Sequence, residues 1–224
     1  LGQKDVLLLE RKQLTSGTTW HAAGLVAQLR ATRNLTQLAK YSADLYANLE
    51  AKTELATGYK QTGSVSLALT KERLEELKRN VAMASIFGVE AEMLSPAECL
   101  QLYPHLNLEG VEGGVHVLGD GQADPVNVTM ALAKGARMAG VRIMEQVNVT
   151  GITQADGRVT GVETEHGVVK TPIVVNCAGM WARDVGKMAG AKVPLHAAEH
   201  FYVVTEPLAD LAPGLPTLRV PDEE

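Results

Sequence analysis

Leu14-Thr15-Ser16-Gly17-Thr18-Thr19-Trp20-His21-Ala22-Ala23-Gly24-Leu25 is the stretch on which the reading of this sequence turns. It carries neither a helical nor a strand period, so it reads as an ordered loop. Just before it, Asp5-Val6-Leu7-Leu8-Leu9-Glu10 is a short continuous apolar run that ends in an acid. Such runs suit a buried strand of a parallel sheet, covered on both faces. After the loop, Asn34 to about Leu55 reads as a helix, with Leu35, Leu38, Ala39, Ser42, Leu45, Tyr46 and Leu49 on one stripe.

Working outward, local signals set most of the remaining elements. Residues 63–69 alternate like a half-buried strand. Thr70 caps a helix from Lys71 to about Phe87, and Gly88 closes it. Ser95-Pro96-Ala97-Glu98 places Ser at N-cap, Pro at N1 and Glu at N3 of a helix that Pro104 stops. Residues 114–118 read as a strand, Asp124-Pro125 opens a helix to about Met138, and 141–144 return as a strand. A meander follows over 147–153, 159–165 and 168–170, turning at Asp156-Gly157 and His166-Gly167. Ile173-Val174-Val175-Asn176-Cys177 reads as a second buried strand, entering Ala178-Gly179 and a helix from about Trp181. Residues 193–206 read as largely extended.

Composition narrows the class. The 224 residues include 46% apolar side chains and carry a net charge of −5, enough chain for one large or two small domains. Mild acidity argues against nucleic-acid binding, which wants a basic face. No apolar run approaches the roughly 20 residues that span a bilayer. Cys99 and Cys177 fit a reduced compartment rather than a disulfide framework. His105, His116, His166 and His196 have no metal-like spacing, so no metal is expected. Neither a Gly-x-Ser-x-Gly block nor a phosphate-binding Gly-Lys loop is present, which removes acyl and phosphoryl transfer on those frames.

An acid that ends the second strand of a dinucleotide-binding unit holds a ribose hydroxyl about 20 residues after a Gly-x-Gly-x-x-Gly turn. Only nine residues precede Glu10. Either Glu10 is not a ribose ligand, or the sequence is a piece that starts in the tail of the first helix. The chain opens at Leu1-Gly2 without Met and stops at Asp222-Glu223-Glu224, and we expect a piece of a larger protein. Expressed alone, it is expected neither to bind a dinucleotide tightly nor to turn over.

The loop at 14–25 strongly resembles the covalent-flavin loop of the dimethylglycine dehydrogenase and sarcosine dehydrogenase family. The resemblance extends through Gly63-Ser64, Ser95-Pro96-Ala97-Glu98, Asp120-Gly121, Asp124-Pro125, residues 147–151, residues 176–182 and Val193-Pro194-Leu195, nearly the whole chain. It implies a mixed α/β (α+β) fold: an incomplete FAD-binding Rossmann-like domain with a β-meander, plus an antiparallel-sheet substrate domain. The N-terminal glycine-rich strand-turn-helix and the C-terminal part would be missing. Residues 1–58 and 110–185 would form the FAD lobe, and 59–109 and 186–224 the substrate lobe.

The resemblance also assigns roles. His21 would carry FAD through a covalent bond to the flavin 8α-methyl. Glu10 would hold the adenosine ribose, with Arg11 beside the adenine. Ser16, Gly17, Thr18, Thr19, Trp20, Ala22, Ala23, Gly24 and Leu25 would line pyrophosphate and isoalloxazine. Val149 would contact the adenine end, and Ala178, Gly179 and Trp181 would lie at the cofactor. Small residues let backbone approach a flat ring, amides and hydroxyls suit phosphates, and a neutral imidazole is a competent nucleophile.

On the substrate side, His200 and Tyr202 lie two apart in an extended stretch and so share one face. The family has His-x-Tyr here, and both are candidate catalytic residues. Arg30 and Arg33 read as a solvated helix start, and Asp120 and Asp124 as turn and cap residues. The implied reaction is oxidative demethylation of an N-methylglycine, sarcosine or dimethylglycine, by hydride transfer to flavin. The electron acceptor would be an electron-transfer flavoprotein or oxygen. Tetrahydrofolate would belong to the C-terminal half of the parent. Rival readings are a flavin oxidase of another amine or amino acid, and a non-catalytic regulator like the pyruvate dehydrogenase phosphatase regulatory subunit, which lacks the loop histidine. The setting would be the bacterial cytoplasm or the mitochondrial matrix.

Overall fold

The computed structural model describes residues 2–223. Leu1, read above with Gly2 as the tail of a helix, and Glu224 lie outside the described residues, and residues 2–4 are irregular. In chain order the elements are β1 (Leu7–Leu9), a 3-10 turn at Thr19–His21, β2 (Leu25–Val26), α1 (Arg33–Thr53), β3 (Ser64–Ala68) and α2 (Lys71–Phe87). Then come β4 (Ala91–Leu94), α3 (Pro96–Leu102), β5 (Gly113–Val117), β6 (Gly121–Gln122), α4 (Pro125–Met138) and β7 (Arg142–Met144). The meander β8 (Val149–Ala155), β9 (Arg158–Thr164) and β10 (Gly167–Lys170) precedes a 3-10 turn at Gly179–Trp181, α5 (Ala182–Met188) and β11 (Thr217–Arg219).

The helix ends follow the capping chemistry. Thr70 accepts a hydrogen bond from the Arg73 amide, and Gly88 closes α2 in the left-handed region. Ser95 and Glu98 form a reciprocal capping box with Pro96 at N1, so the first-turn amides of α3 are satisfied before the helix begins. Asp124 accepts from the Asn127 amide at the start of α4.

The chain divides into two compact units: Leu1–His21 with Ala133–Leu208, and Ala22–Leu132 with Ala209–Glu224. The family resemblance implies divisions at 58/59, 109/110 and 185/186.

The unit built on Ala22–Leu132 holds a four-stranded sheet ordered β11-β3-β5-β4. β3 pairs antiparallel with β5 and parallel with β11. Alternation sends its side chains to two cores. Val65 and Leu67 pack with Leu94 and Cys99 of α3, whereas Ala68, Val115 and Val117 pack with Leu77 and Ala84 of α2. Gly114 permits the α3 contact, because a Cβ there would press on Cys99 Sγ. β2 and β6 form a separate antiparallel pair.

The other unit holds the parallel pair β1-β7 and the antiparallel meander β10-β9-β8. Asp156 and Gly157, both at positive φ, turn β8 into β9.

Several expectations are corrected. β1 is parallel, but Leu8 is 40% exposed, so it is not covered on both faces. Residues 173–177 form no ladder among the described residues, and Ile173 and Val175 stand exposed; an apolar run becomes a buried strand only where neighbours pair with it. Cys177 is therefore exposed rather than packed, while Cys99 is buried and its thiol pKa is raised by that burial. The stripe of α1 holds from Ala39 to Leu49, where its residues are half-buried or buried, but fails in the first turn, where Leu35 and Leu38 are exposed and Thr36 is buried. Thr36 turns inward because its hydroxyl bonds the Arg30 backbone in both directions. β4 and β11 were not expected; at 4 and 3 residues they are too short to show a period.

Candidate active site

Glu10 follows the last residue of β1. Its amide donates to the Met144 carbonyl and its carbonyl accepts from the Val147 amide, which locks the strand end against β7. One carboxylate oxygen, Oε1, accepts from the Lys12 amide at 2.8 Å. The next residue, Arg11, lays its guanidinium over the Trp181 ring, 4.2 Å from the ring centroid. Trp181 also borders Gly17, where a Cβ would come 3.2 Å from the indole. Gly17 has a φ of +75°, so glycine here meets both the backbone and the packing requirement. One indole thus meets Arg11 at its face and the start of the loop at the edge of its six-membered ring.

The loop itself is anchored at Leu14, whose amide donates to Glu145 Oε1 at 2.6 Å. The 3-10 turn at Thr19–His21 then brings the Trp20 and His21 rings to 3.6 Å between centroids. His21 is exposed, and its Nδ1 lies 2.9 Å from the Tyr202 hydroxyl. The two rings meet edge-on, at 69° and 6.1 Å. On the far side of the unit's sequence, Asn176 accepts from the Ala178 amide and donates to the Ala182 carbonyl, bracing Ala178, Gly179 and Trp181. Val149 is half-buried at the start of β8, opposite Thr164.

The structure therefore brings together Arg11, Gly17 and Trp181, and separately His21 and Tyr202. His200 is exposed and has no hydrogen-bond or ion-pair partner among the described residues. The stretch 193–206 joins no sheet among the described residues, so no shared strand face relates His200 to Tyr202.

The other unit begins at Ala22, and its own geometry concerns Gly24 and Asp120. Gly24 has a φ of +83°, and a Cβ there would strike the Ala123 carbonyl oxygen. That close approach lets Gly24 O accept from the Ala123 amide while Leu25 and Val26 pair with Gln122 and Gly121. Asp120 is more than a turn residue. It is 3% exposed, accepts from the Gln28 amide at 2.8 Å and from Ser64 Oγ at 2.6 Å. Burial raises its pKa, against the lowering effect of these bonds and of Arg30 and Arg219. Tyr59 is raised too, first by burial and then by Asp120 and Asp44. The only sequence signal at Asp120 was Asp-Gly after a strand, which marks turns and says nothing of burial.

Comparison with known proteins adds the following. The family model described as FAD dependent oxidoreductase matches residues 1–224. The chain is 44% identical over 225 residues to mitochondrial sarcosine dehydrogenase of Homo sapiens, covering 98% of this chain and 24% of that protein. It is 40% identical over 221 residues to mitochondrial dimethylglycine dehydrogenase of Rattus norvegicus, covering 97% and 26%. The chain thus spans about a quarter of the length of these relatives. Among solved structures, L-proline dehydrogenase from P.horikoshii superposes with a TM-score of 0.83 at 26% identity, covering 96% of this chain and 57% of that one.

The residues present fit the dinucleotide that such a family implies. The hydroxyls of Ser16, Thr18 and Thr19 have no partner among the described residues, and one carboxylate oxygen of Glu10 is likewise open. His21 keeps Nε2 without a partner among the described residues. Among the described residues no group of three His, Cys, Asp or Glu is placed to hold a metal ion, and no helix is long and apolar enough to cross a membrane.

Proposed function

The chain belongs to the FAD-dependent oxidoreductase family, and on that premise we propose that it carries the flavin side of an N-methylglycine dehydrogenase acting on sarcosine or dimethylglycine. The observation that carries this reading is the exposed His21, presented at the end of a loop that Trp181 and Glu145 hold in place. Two relatives named for these substrates, at 44% and 40% identity, support the substrate class.

FAD, when bound, supplies the acceptor for a hydride equivalent from the N-methyl carbon. The chain's own residues do the rest. Glu10 offers its open carboxylate oxygen to a ribose hydroxyl. Trp181 holds the Arg11 guanidinium flat at the adenine end, beside Val149, Ala178 and Gly179. The hydroxyls of Ser16, Thr18 and Thr19 and the amides around Gly17 take phosphate oxygens, while Trp20, Ala22, Ala23, Gly24 and Leu25 line the ring. His21 forms the covalent link. Tyr202 and His200 hold the substrate carboxylate and keep the amine neutral. The oxidised substrate is hydrolysed to formaldehyde, or its carbon passes to tetrahydrofolate in another part of the protein. Electrons leave to an electron-transfer flavoprotein or to oxygen. The setting is a reducing compartment, the bacterial cytoplasm or the mitochondrial matrix.

The test is acid precipitation of the intact protein that carries this chain. Yellow colour should stay with the precipitate and be lost in His21→Ala. Flavin that washes out of the wild type sinks the covalent assignment, and absence of any sarcosine- or dimethylglycine-dependent dye reduction sinks the substrate class.

A further inference from the structure

The contact between His21 and Tyr202 joins residues 181 positions apart, and nothing in the substrate role of Tyr202 requires it. The hydroxyl meets Nδ1, the ring nitrogen nearer the backbone, and leaves Nε2 pointing outward without a partner among the described residues. A tyrosine hydroxyl both donates and accepts, so it satisfies Nδ1 in either tautomer. When Nδ1–H donates to the tyrosine oxygen, the lone pair resides on Nε2, the nucleophilic form. Tyr202 is 56% exposed, so a proton arriving at its oxygen reaches solvent. The Trp20 ring, 3.6 Å from the imidazole, restricts rotation from the other side.

Resting on the covalent role given to His21 above, we propose that Tyr202 is a positioning residue for flavin attachment: its hydroxyl fixes the His21 ring with Nδ1–H toward itself and relays to solvent the proton that attachment expels. The balance is as follows. A bond forms between the imidazole nitrogen and the carbon of the flavin 8α-methyl group. That carbon loses one hydrogen as a proton, and the imidazole gives its N–H proton to the Tyr202 oxygen as the tyrosine O–H proton passes to water. Two electrons pass to the flavin, and dioxygen takes them with the two protons to give hydrogen peroxide. Without the tyrosine, neither the tautomer nor the ring orientation is fixed, and the alkylated ring holds its positive charge until water reaches Nδ1 directly. Proton transfer through a positioned group is worth on the order of 100-fold, and loss of the ring's orientation adds to it.

The experiment follows attachment in the intact protein, produced without flavin and mixed with FAD, in wild type, Tyr202→Phe and His21→Ala. Total flavin occupancy is read by absorbance, and the covalent share by fluorescence of the denatured protein and by mass. Tyr202→Phe should reach wild-type occupancy while its covalent share grows at least about tenfold more slowly. Its deficit should narrow as pH rises and hydroxide replaces the tyrosine as proton acceptor. Attachment at the wild-type rate in Tyr202→Phe overturns the proposal and leaves the role of His21 standing. A deficit that is the same at every pH and follows lowered occupancy also overturns it, since that is loss of structure. Flavin that stays non-covalent in the wild type, or covalent in His21→Ala, overturns the reading of His21 itself.

Discussion

Residues 64–68, which alternate Ser with apolar side chains, and residues 173–177, which open on a continuous apolar run, end in opposite states. Val65 is fully buried and Leu67 is 3% exposed, whereas Ile173 is 70% and Val175 78% exposed. The difference lies in partners. β3 has β5 along one edge and β11 along the other, with α2 and α3 over its faces. Residues 173–177 have no pairing strand among the described residues. Apolar composition supplies the driving force for burial, but the area removed from water depends on what arrives to cover it.

The contrast is open to direct attack. In the 224-residue chain, Leu67→Ala should cost about 2–5 kcal/mol in denaturant unfolding, and Val175→Ala should stay within about 0.5 kcal/mol. Repeating the pair in the intact protein sharpens it: a cost at Val175 that climbs toward that at Leu67 reveals a covering element. Next in size are the two glycines of the loop. Gly24→Ala should lose about 2–3 kcal/mol, because both φ and the Ala123 carbonyl oppose a side chain. Gly17→Ala should lose about 1 kcal/mol, because its neighbour is the outer edge of an indole that can shift. Equal losses break the distinction between backbone and side-chain obstruction.

The smallest effect concerns pH. With the folded pKa of Asp120 above its usual value near 3.8, the folded state keeps its proton at pH values where the unfolded state has lost it. Stability from this group therefore falls as pH rises above about 3.8 and levels off beyond the folded value. Asp222 works in the other direction. Its pKa is lowered by the Leu69 amide and by Arg73, so its contribution is present above about 3.8 and lost as pH falls below that. Thermal midpoints of wild type and Asp120→Asn between pH 4 and 7 should draw together or cross as pH rises. Parallel curves remove Asp120 from the account.

Legibility in the sequence followed the range of the interaction. Thr70 with Gly88, Ser95 with Glu98, and Asp156-Gly157 act over a few residues, and all appear where their local chemistry puts them. The meander and the ends of α2 and α4 were legible for the same reason. Among candidate site residues, the loop at 14–25 stands out in the sequence as a block, because its residue types sit in a specific order. The burial of Asp120 was not legible, since it depends on Ser64 and Gln28, far away in the sequence, and the exposure of Cys177 was not, since no strand pairs with residues 173–177 among the described residues.

The order of residues thus determined, by itself, the caps, the turns and the helices, through hydrogen bonds and periodicities that close within one or two turns of chain. Only the tertiary structure decided that Thr217–Arg219 lies parallel to Ser64–Ser66, that Trp181 meets both Arg11 and Gly17, and that Tyr202 meets His21. Those pairings bring together residues more than 140 positions apart in the sequence, where no local period or propensity records the partner and only shape, hydrogen-bond satisfaction and burial select it.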